Sequence, residues 1–414
     1  MCHLTRTIWP VGHGAFYTEC FRNIDGKDTT FTTVYDCGAY QYGRPYVKDL
    51  DREIQGFVES IQDNDSDRPN VDVVFISHFD KDHVDGFMRL KNAVSSIKAI
   101  VIPNLLPSQL VRSFVRNIME SDTQEDWNEL IHFYSLLIGR EKGEMRIIRV
   151  PDTTSVNLHG DWVNLNLLQG MDGKLHPGTH LTIGKPHDGN PLWVYIPVHQ
   201  SYDITKSNLL YQKILEAVEL SPAVDLTVVF EKILAFCSSP RMHKKLLDIY
   251  HEIYGNIEDN DFSMPVYSGL YSDKVAGEYC VHADMFLREF HQHFHMHVHM
   301  DYDSQNTFFA PKAINCLYMG DYEANKPGRL KRLKEHLGQY WYKVGLVQVP
   351  HHASQNNHNI HLYHPGQICF ASVYDSNDCS YSIDVRNEIE SLSSSFIKIT
   401  EKSAPFVEEI SLYV

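Results

Sequence analysis

Two imidazoles and two carboxylates crowd into six positions of this chain, His78-Phe79-Asp80-Lys81-Asp82-His83. Directly before them runs Val71-Asp72-Val73-Val74-Phe75-Ile76, a β-branched apolar stretch that reads as a buried strand. Such a strand fixes the backbone, and the loop at its end aims nitrogen and oxygen donors at one point. That is the donor set a hard or borderline divalent metal takes. Gly86 follows and is expected to free the backbone for the next element. The same layout recurs at Gly320-Asp321, after a strand at 314–319, and at His351-His352, after a strand at 344–349. One polar loop collects histidines by chance, but strand ends that repeatedly deliver metal-ligand types argue for a site.

The elements that must position these residues follow from periodicity and turn chemistry. Residues 5–17 are expected to give a strand and then the glycine-punctuated Val11-Gly12-His13-Gly14-Ala15-Phe16, with further strands near 20–24 and 31–35 separated by Asp25-Gly26-Lys27-Asp28, a β-meander ending in Asp36-Cys37-Gly38. Residues 46–62 have a helical period, and a strand at 98–102 stops at Pro103. The middle of the chain reads as helices at 108–141, 206–219 and 241–256 and strands at 144–150, 156–168 and 191–198. It carries no dense ligand cluster. His159, His176, His180, His187 and His199 are scattered there and read as solvated or core residues. Strands at 264–267, 368–373 and 396–400 and helices at 328–337 and 383–393 complete the pattern. His291, His293, His295, His297 and His299 fall on alternate positions, so a strand puts them on one face. The simplest reading is the polar face of a half-buried hairpin; extra Zn²⁺ or Ni²⁺ is the alternative.

The bulk composition narrows the function classes. The chain has 414 residues, 43% hydrophobic and 12% aromatic, enough for a sizeable core and too apolar for a disordered protein. A net charge of −16 argues against broad electrostatic gripping of nucleic acid, although bound dications would offset acidic ligands locally. The eight cysteines contain no CxxC pair, which speaks against a zinc ribbon or a disulfide framework and for a cytoplasmic location. The N-terminus lacks a signal layout, and no run reaches the ~18 apolar residues of a membrane helix.

His78-Phe79-Asp80-Lys81-Asp82-His83 resembles the HxHxDH signature of the metallo-β-lactamase fold in its HxDxDH form, familiar from the ComEC-like subgroup, the hydrolase domain of a competence DNA-uptake protein and its stand-alone relatives. Further segments match in the same order. Val11-Gly12-His13-Gly14 resembles the family's VGQG, Asp36-Cys37-Gly38 its DGG, and Asn260-Asp261-Phe262-Ser263 its NxxS. Gly320-Asp321 resembles the bridging-aspartate motif and residues 349–354 the VPHHGS motif. The resemblance implies an α/β (α+β) protein, a four-layer αββα sandwich formed by 1–105 and 255–414, with 106–254 as a large mixed insertion. Two departures stand out. The gap from His83 to Asn260 is long, and Asn377-Asp378-Cys379-Ser380-Tyr381-Ser382 lacks the histidine that the subgroup often carries there.

The resemblance further implies a hydrolase with one or two metals per chain, Zn²⁺ or Mn²⁺, the latter made a credible occupant alongside Zn²⁺ by Asp80 in place of a histidine. His78 and Asp80 would hold the first metal, Asp82 and His83 the second, with Asp321 bridging and His351 completing the second. A metal-bound hydroxide would then attack the substrate, with Asp82 and His352 the residues closest to the chemistry. His352 and Ser354 would contact the substrate, and Asn260 and Ser263 the first metal or its water. Asp36 and His13 are expected to orient ligands or to be structural. The leading expectation is a phosphodiesterase or nuclease-like enzyme acting on a nucleic acid or nucleotide. The alternatives are hydrolysis of small esters, thioesters or lactones, and a metal-binding subunit of a multi-protein assembly, such as a bacterial defence module, that docks through 106–254. Homo-oligomerisation stays open, and no membrane is expected.

Overall fold

The computed structural model describes residues 1–24, 29–39, 47–62, 68–121, 124–139, 145–153, 162–167, 173–184, 191–201, 204–255, 262–271, 276–287, 290–300, 314–375 and 382–413. The chain opens with β1 (Cys2–Ile8), β2 (Gly14–Arg22), β3 (Thr30–Ala39), α1 (Val47–Ile61), β4 (Asn70–Phe75), α2 (Lys81–Val84), α3 (Phe87–Ala93) and β5 (Ser96–Pro103). Its middle supplies α4 (Pro107–Met119), α5 (Gln124–Leu137), β6 (Arg146–Val150), β7 (Trp162–Asn164), β8 (Gly173–Lys174), β9 (His180–Ile183), β10 (Trp193–Pro197), α6 (Thr205–Ala217), α7 (Leu226–Cys237) and α8 (Pro240–Tyr254). The remainder forms β11 (Val266–Leu270), β12 (Ala276–Leu287), β13 (Phe290–Met300), β14 (Asn315–Tyr318), α9 (Arg329–Leu337), β15 (Val344–Gln348), α10 (Pro350–Ala353), β16 (Ile368–Ser372), α11 (Ile383–Ser391), β17 (Ser395–Ile399) and β18 (Phe406–Tyr413).

Among the described residues these strands make two mixed sheets. The ten-stranded one runs β13-β12-β18-β1-β2-β3-β4-β5-β6-β8 and the eight-stranded one β17-β16-β15-β14-β11-β10-β9-β7. The mixed α/β class expected from sequence is therefore what is found. Alternation decides the packing. Tyr17, Phe21, Tyr35 and Phe75 of the first sheet share a buried core with Trp193, Tyr195, Tyr318 and Phe370 of the second. The Tyr35 and Tyr318 rings stack at 4.8 Å, and Phe21 meets Trp193 edge-on at 5.3 Å. The other face of the first sheet buries Val34, Val71, Val74 and Ile100 against α1, α3 and α4–α8. The second sheet covers its other face with α9 and α11.

One polar cluster sits inside this sheet-on-sheet core. Arg6 Nε donates to Glu19 Oε1 at 2.8 Å, and Arg6 Nη1 donates to Glu408 Oε2 at 2.5 Å. Glu19 also accepts from the Tyr195 hydroxyl at 2.8 Å and the Tyr318 hydroxyl at 3.0 Å, across the gap between the sheets. The charges are buried but partnered, as a dry interior requires.

The middle region is continuous with this frame: it gives β6 and β8 to the first sheet and β7, β9 and β10 to the second. Several elements differ from the sequence reading. The second strand starts at Gly14, because Gly14 to Cys20 are all buried. The strand at 395–399 is not the last. β18 follows it and pairs antiparallel with β1 and β12 in the other sheet. α7 lacked a readable period because most of LTVVFEKILAFC is apolar. Of the strand expected over 156–168, the described part is β7 and a 3₁₀ turn, Leu165–Leu167. The alternating histidines do lie in a strand, β13, paired with β12 at one edge of the ten-stranded sheet. His159, His187, Asn260 and residues 377–381 lie outside the described residues.

Candidate metal centre

The candidate site lies at the C-terminal ends of parallel strands, where open α/β sheets place their ligands. β3, β4 and β5 run parallel in one sheet, and β14, β15 and β16 run parallel in the other. The loop after β4 delivers His78 and Asp80, then α2 delivers Asp82 and His83. Gly38 makes this close approach possible: a Cβ there would stand 2.5 Å from the Asp82 carbonyl carbon and 2.6 Å from the His83 nitrogen. Gly86 serves the same purpose. Its φ of −85° is ordinary, and a Cβ would strike Cys37 and Leu50, so it supplies space rather than the backbone freedom expected of it.

The second loop, after β14, turns at Gly320 with φ +53°. Gln348 Oε1 accepts from the Met319 and Gly320 amides at 2.8 and 3.0 Å, and Ser263 Oγ accepts from the Asp321 amide at 3.0 Å. Ser263 thus positions Asp321 from the side. The third loop follows β15. His351, His352 and Ala353 have φ of 49°, 53° and 62°, three consecutive left-handed residues without a glycine. Each costs about 1–2 kcal/mol, a strain typical of functional turns. The His351 amide donates to Gly320 O at 3.0 Å, and Asn357 Nδ2 donates to Asp321 O at 2.9 Å, tying this loop to the second.

Every histidine of the group is held by its Nδ1. Asp36, itself left-handed at φ 55°, accepts from His83 Nδ1 at 2.8 Å, from the Ser77 hydroxyl at 2.6 Å and from the Ser77 amide at 2.7 Å. Because the Ser77 hydroxyl gives its proton to Asp36, its oxygen accepts from His78 Nδ1 at 2.8 Å. His352 Nδ1 donates to Ser372 O at 2.8 Å, and His351 Nδ1 to Asn357 Oδ1 at 2.9 Å. Anchored this way, four Nε2 atoms face the carboxylates.

Two groups of donors result: Asp82, His83, Asp321 and His352, and His78, Asp80 and Asp321, with the ligand atoms of each within 4.8 Å of one another. Two ligands at ~2.1 Å on a tetrahedral ion stand about 3.4 Å apart. The observed pairs fit. His83 Nε2 lies 3.2 Å from Asp321 Oδ1 and 3.6 Å from Asp82 Oδ2, and His352 Nε2 lies 2.9 Å from Asp82 Oδ2. His78 Nε2 lies 3.4 Å from Asp80 Oδ2 and 3.6 Å from Asp321 Oδ2, and it is buried with no hydrogen-bond partner. A buried imidazole nitrogen beside two carboxylates is met either by a cation or by the ring's own second proton.

The two groups share Asp321, the position expected to bridge. The histidines of the third loop divide differently from the sequence reading, which gave His351 to the second group and His352 to the substrate. The left-handed turn aims His352 at Asp82, while His351 Nε2 stands 3.6 Å from Asp321 Oδ2, the oxygen facing His78. His13 lies over His352 with ring centroids 3.8 Å apart, and the Ser354 amide closes the turn on His351 O.

The electrostatics follow from this crowding. Burial opposes charge on His83, yet Asp82, Asp321 and Asp36 outweigh it and raise the imidazole well above its ordinary value. Burial also works against Asp321, but His351 and His83 hold its carboxyl well below the usual range. Asp82 is likewise lowered by His83 and His352 against its burial. His13 is pushed down to about 3, by burial first and by His352 second, so it is neutral at pH 7.

Sequence reasoning missed a support from the middle region. Helix α4 backs the first loop: Asn117 Nδ2 donates to Phe79 O at 2.6 Å, Lys81 Nζ to Glu120 O at 3.2 Å, and Arg116 Nη1 pairs with Asp80 Oδ2 at 2.6 Å. Nothing in its amphipathic period marks those residues; only packing brings them to the loop. Among known proteins, no family model and no curated protein matches this chain. No helix among the described residues is long and apolar enough to cross a membrane.

Proposed function

We propose that the chain is a metal-dependent hydrolase of phosphodiesters in nucleic acids or nucleotides, built as a metallo-β-lactamase αββα sandwich of the ComEC-like kind. The observation that carries this reading is the meeting of His78, Asp80, Asp82 and His83 with Asp321 and with His352, from three loops far apart in sequence. When bound, a divalent cation supplies Lewis acidity and an activated water near neutral pH. The chain's own residues do the rest. Asp36, Ser77 and the Ser372 carbonyl fix the imidazole tautomers, Asp82 and Asp321 carry the negative charge, and neutral His13 adds none beside His352. Mixed nitrogen and oxygen donors accept Zn²⁺ or Mn²⁺, and the oxygen-rich share favours phosphate esters. The buried thiols Cys37, Cys237, Cys316 and Cys369 support a reducing compartment, the cytoplasm.

The net charge of −16 favours a second reading, hydrolysis of a small carboxylic ester, thioester or lactone, because it repels polyanions. The test is turnover by purified protein with Mn²⁺ or Zn²⁺ of bis(p-nitrophenyl) phosphate, single- and double-stranded DNA, and a panel of lactones and thioesters. Phosphodiester cleavage that falls roughly 10³-fold in Asp82→Ala and Asp321→Ala is expected. Intact phosphodiesters beside a cleaved ester would move the assignment to the second reading. Bound metal with no substrate cleaved would favour a subunit of a larger assembly, docking through 106–254.

A further inference from the structure

The two donor groups are not equivalent, and the difference is Arg116. Its Nη1 pairs at 2.6 Å with Asp80 Oδ2, the same oxygen that lies 3.4 Å from His78 Nε2 and would serve the first group as a ligand. We infer that the Arg116 guanidinium stands in for one dication, so that the chain holds a single metal ion, in the Asp82–His83–Asp321–His352 group, and leaves the His78–Asp80 group without one. This inference rests on the metal-binding part of the proposed function.

Three observations carry it. First, the guanidinium keeps its charge at any working pH, so unlike a histidine or lysine it cannot make room for a cation by losing a proton. Second, it is held in place. Arg116 Nε donates to Glu120 Oε1 at 3.1 Å, its side chain is only 14% exposed, and α4 is fastened to the same loop through Asn117 and Lys81. A metal on Asp80 Oδ2 would face this fixed positive charge across one shared oxygen. Third, the donors and charges divide unevenly. Asp82 and Asp321 balance one dication within a group of four donors, whereas Asp80, the one carboxylate that the other group does not share, already faces the guanidinium that Arg116 divides between it and Glu120.

The test strips the full-length protein with a chelator, reloads it with Zn²⁺ or Mn²⁺, and reads metal per chain by mass spectrometry and affinity by titration calorimetry. Wild type is expected to take one tight equivalent. Arg116→Gln is expected to take two, the second bound roughly 100-fold more tightly than any second ion in wild type. Asp80→Asn, which keeps the side chain's shape, is expected to retain the single equivalent with affinity changed less than about 10-fold. Two comparable equivalents in wild type would overturn the inference, as would loss of an equivalent in Asp80→Asn or a single equivalent in Arg116→Gln that still binds the first ion normally. If Arg116→Gln does not fold, the wild-type count and Asp80→Asn decide. No metal in wild type would sink the proposed metal dependence itself, which separates the two failures.

Discussion

Asp36→Asn is the most informative single change to the site, because it removes a charge without changing shape. The carboxylate now accepts three hydrogen bonds, from the Ser77 amide at 2.7 Å, the Ser77 hydroxyl at 2.6 Å and His83 Nδ1 at 2.8 Å. Asparagine tolerates the left-handed φ of 55°, so the backbone survives. Its amide oxygen keeps the Ser77 amide, and its NH₂ then faces two former donors. The Ser77 hydroxyl can rotate to accept. His83 can accept only by moving its proton to Nε2, the atom that faces Asp82 and Asp321. Loss of such an orienting partner weakens metal binding about 10–100-fold, or ~1.4–2.8 kcal/mol. Metal-free stability falls by about 2 kcal/mol as charge-assisted bonds are lost. Competition with a chromophoric chelator reads the first quantity and denaturant unfolding in excess chelator the second. A folded Asp36→Asn protein with metal affinity within twofold of wild type would refute the argument that Asp36 sets the His83 tautomer.

Arg6→Met should lower unfolding free energy by about 3–5 kcal/mol, since it strands the buried Glu19 and Glu408 carboxylates; a loss under about 1 kcal/mol in urea titration would contradict this. Gly38→Ala drives a Cβ to 2.5–2.6 Å from the backbone of Asp82 and His83, and should destabilise by about 1–3 kcal/mol and weaken metal binding together; unchanged affinity would show that the loop has slack. In metal-free protein the raised His78 and His83 contribute stability that is complete below their ordinary value of 6.5 and is lost as pH rises through their raised folded values. Melting temperature without metal should therefore fall from about pH 6 toward pH 9. Metal loading, which needs the unprotonated rings, should strengthen over the same range and release protons. Calorimetry in buffers of different ionisation enthalpy checks the proton release.

The candidate ligand residues that meet in the site stood out in the sequence because a cluster of imidazoles and carboxylates is rare, and each follows a short β-branched or apolar run that forms a strand. Their supports did not. Ser77, Gln348, Asn357 and Asn117 are ordinary polar residues until packing gives them a partner, and Arg116 belongs to a helix whose pattern announces only an apolar face. β18 escaped notice for a specific reason. Glu408 interrupts its apolar face, and that carboxylate is buried to meet Arg6 at the far end of the chain. The exchange of His351 and His352 was equally hidden, since it depends on three left-handed residues that no composition rule favours without glycine. What periodicity does carry, the mixed α/β class, is found in the two sheets.

Anomalous diffraction at the zinc or manganese edge from crystals grown with that metal tests the central claim most directly. The expected result is a peak about 2.0–2.2 Å from the ligand atoms of Asp82, His83, Asp321 and His352. A peak elsewhere, or none with these three loops drawn apart, would contradict the account.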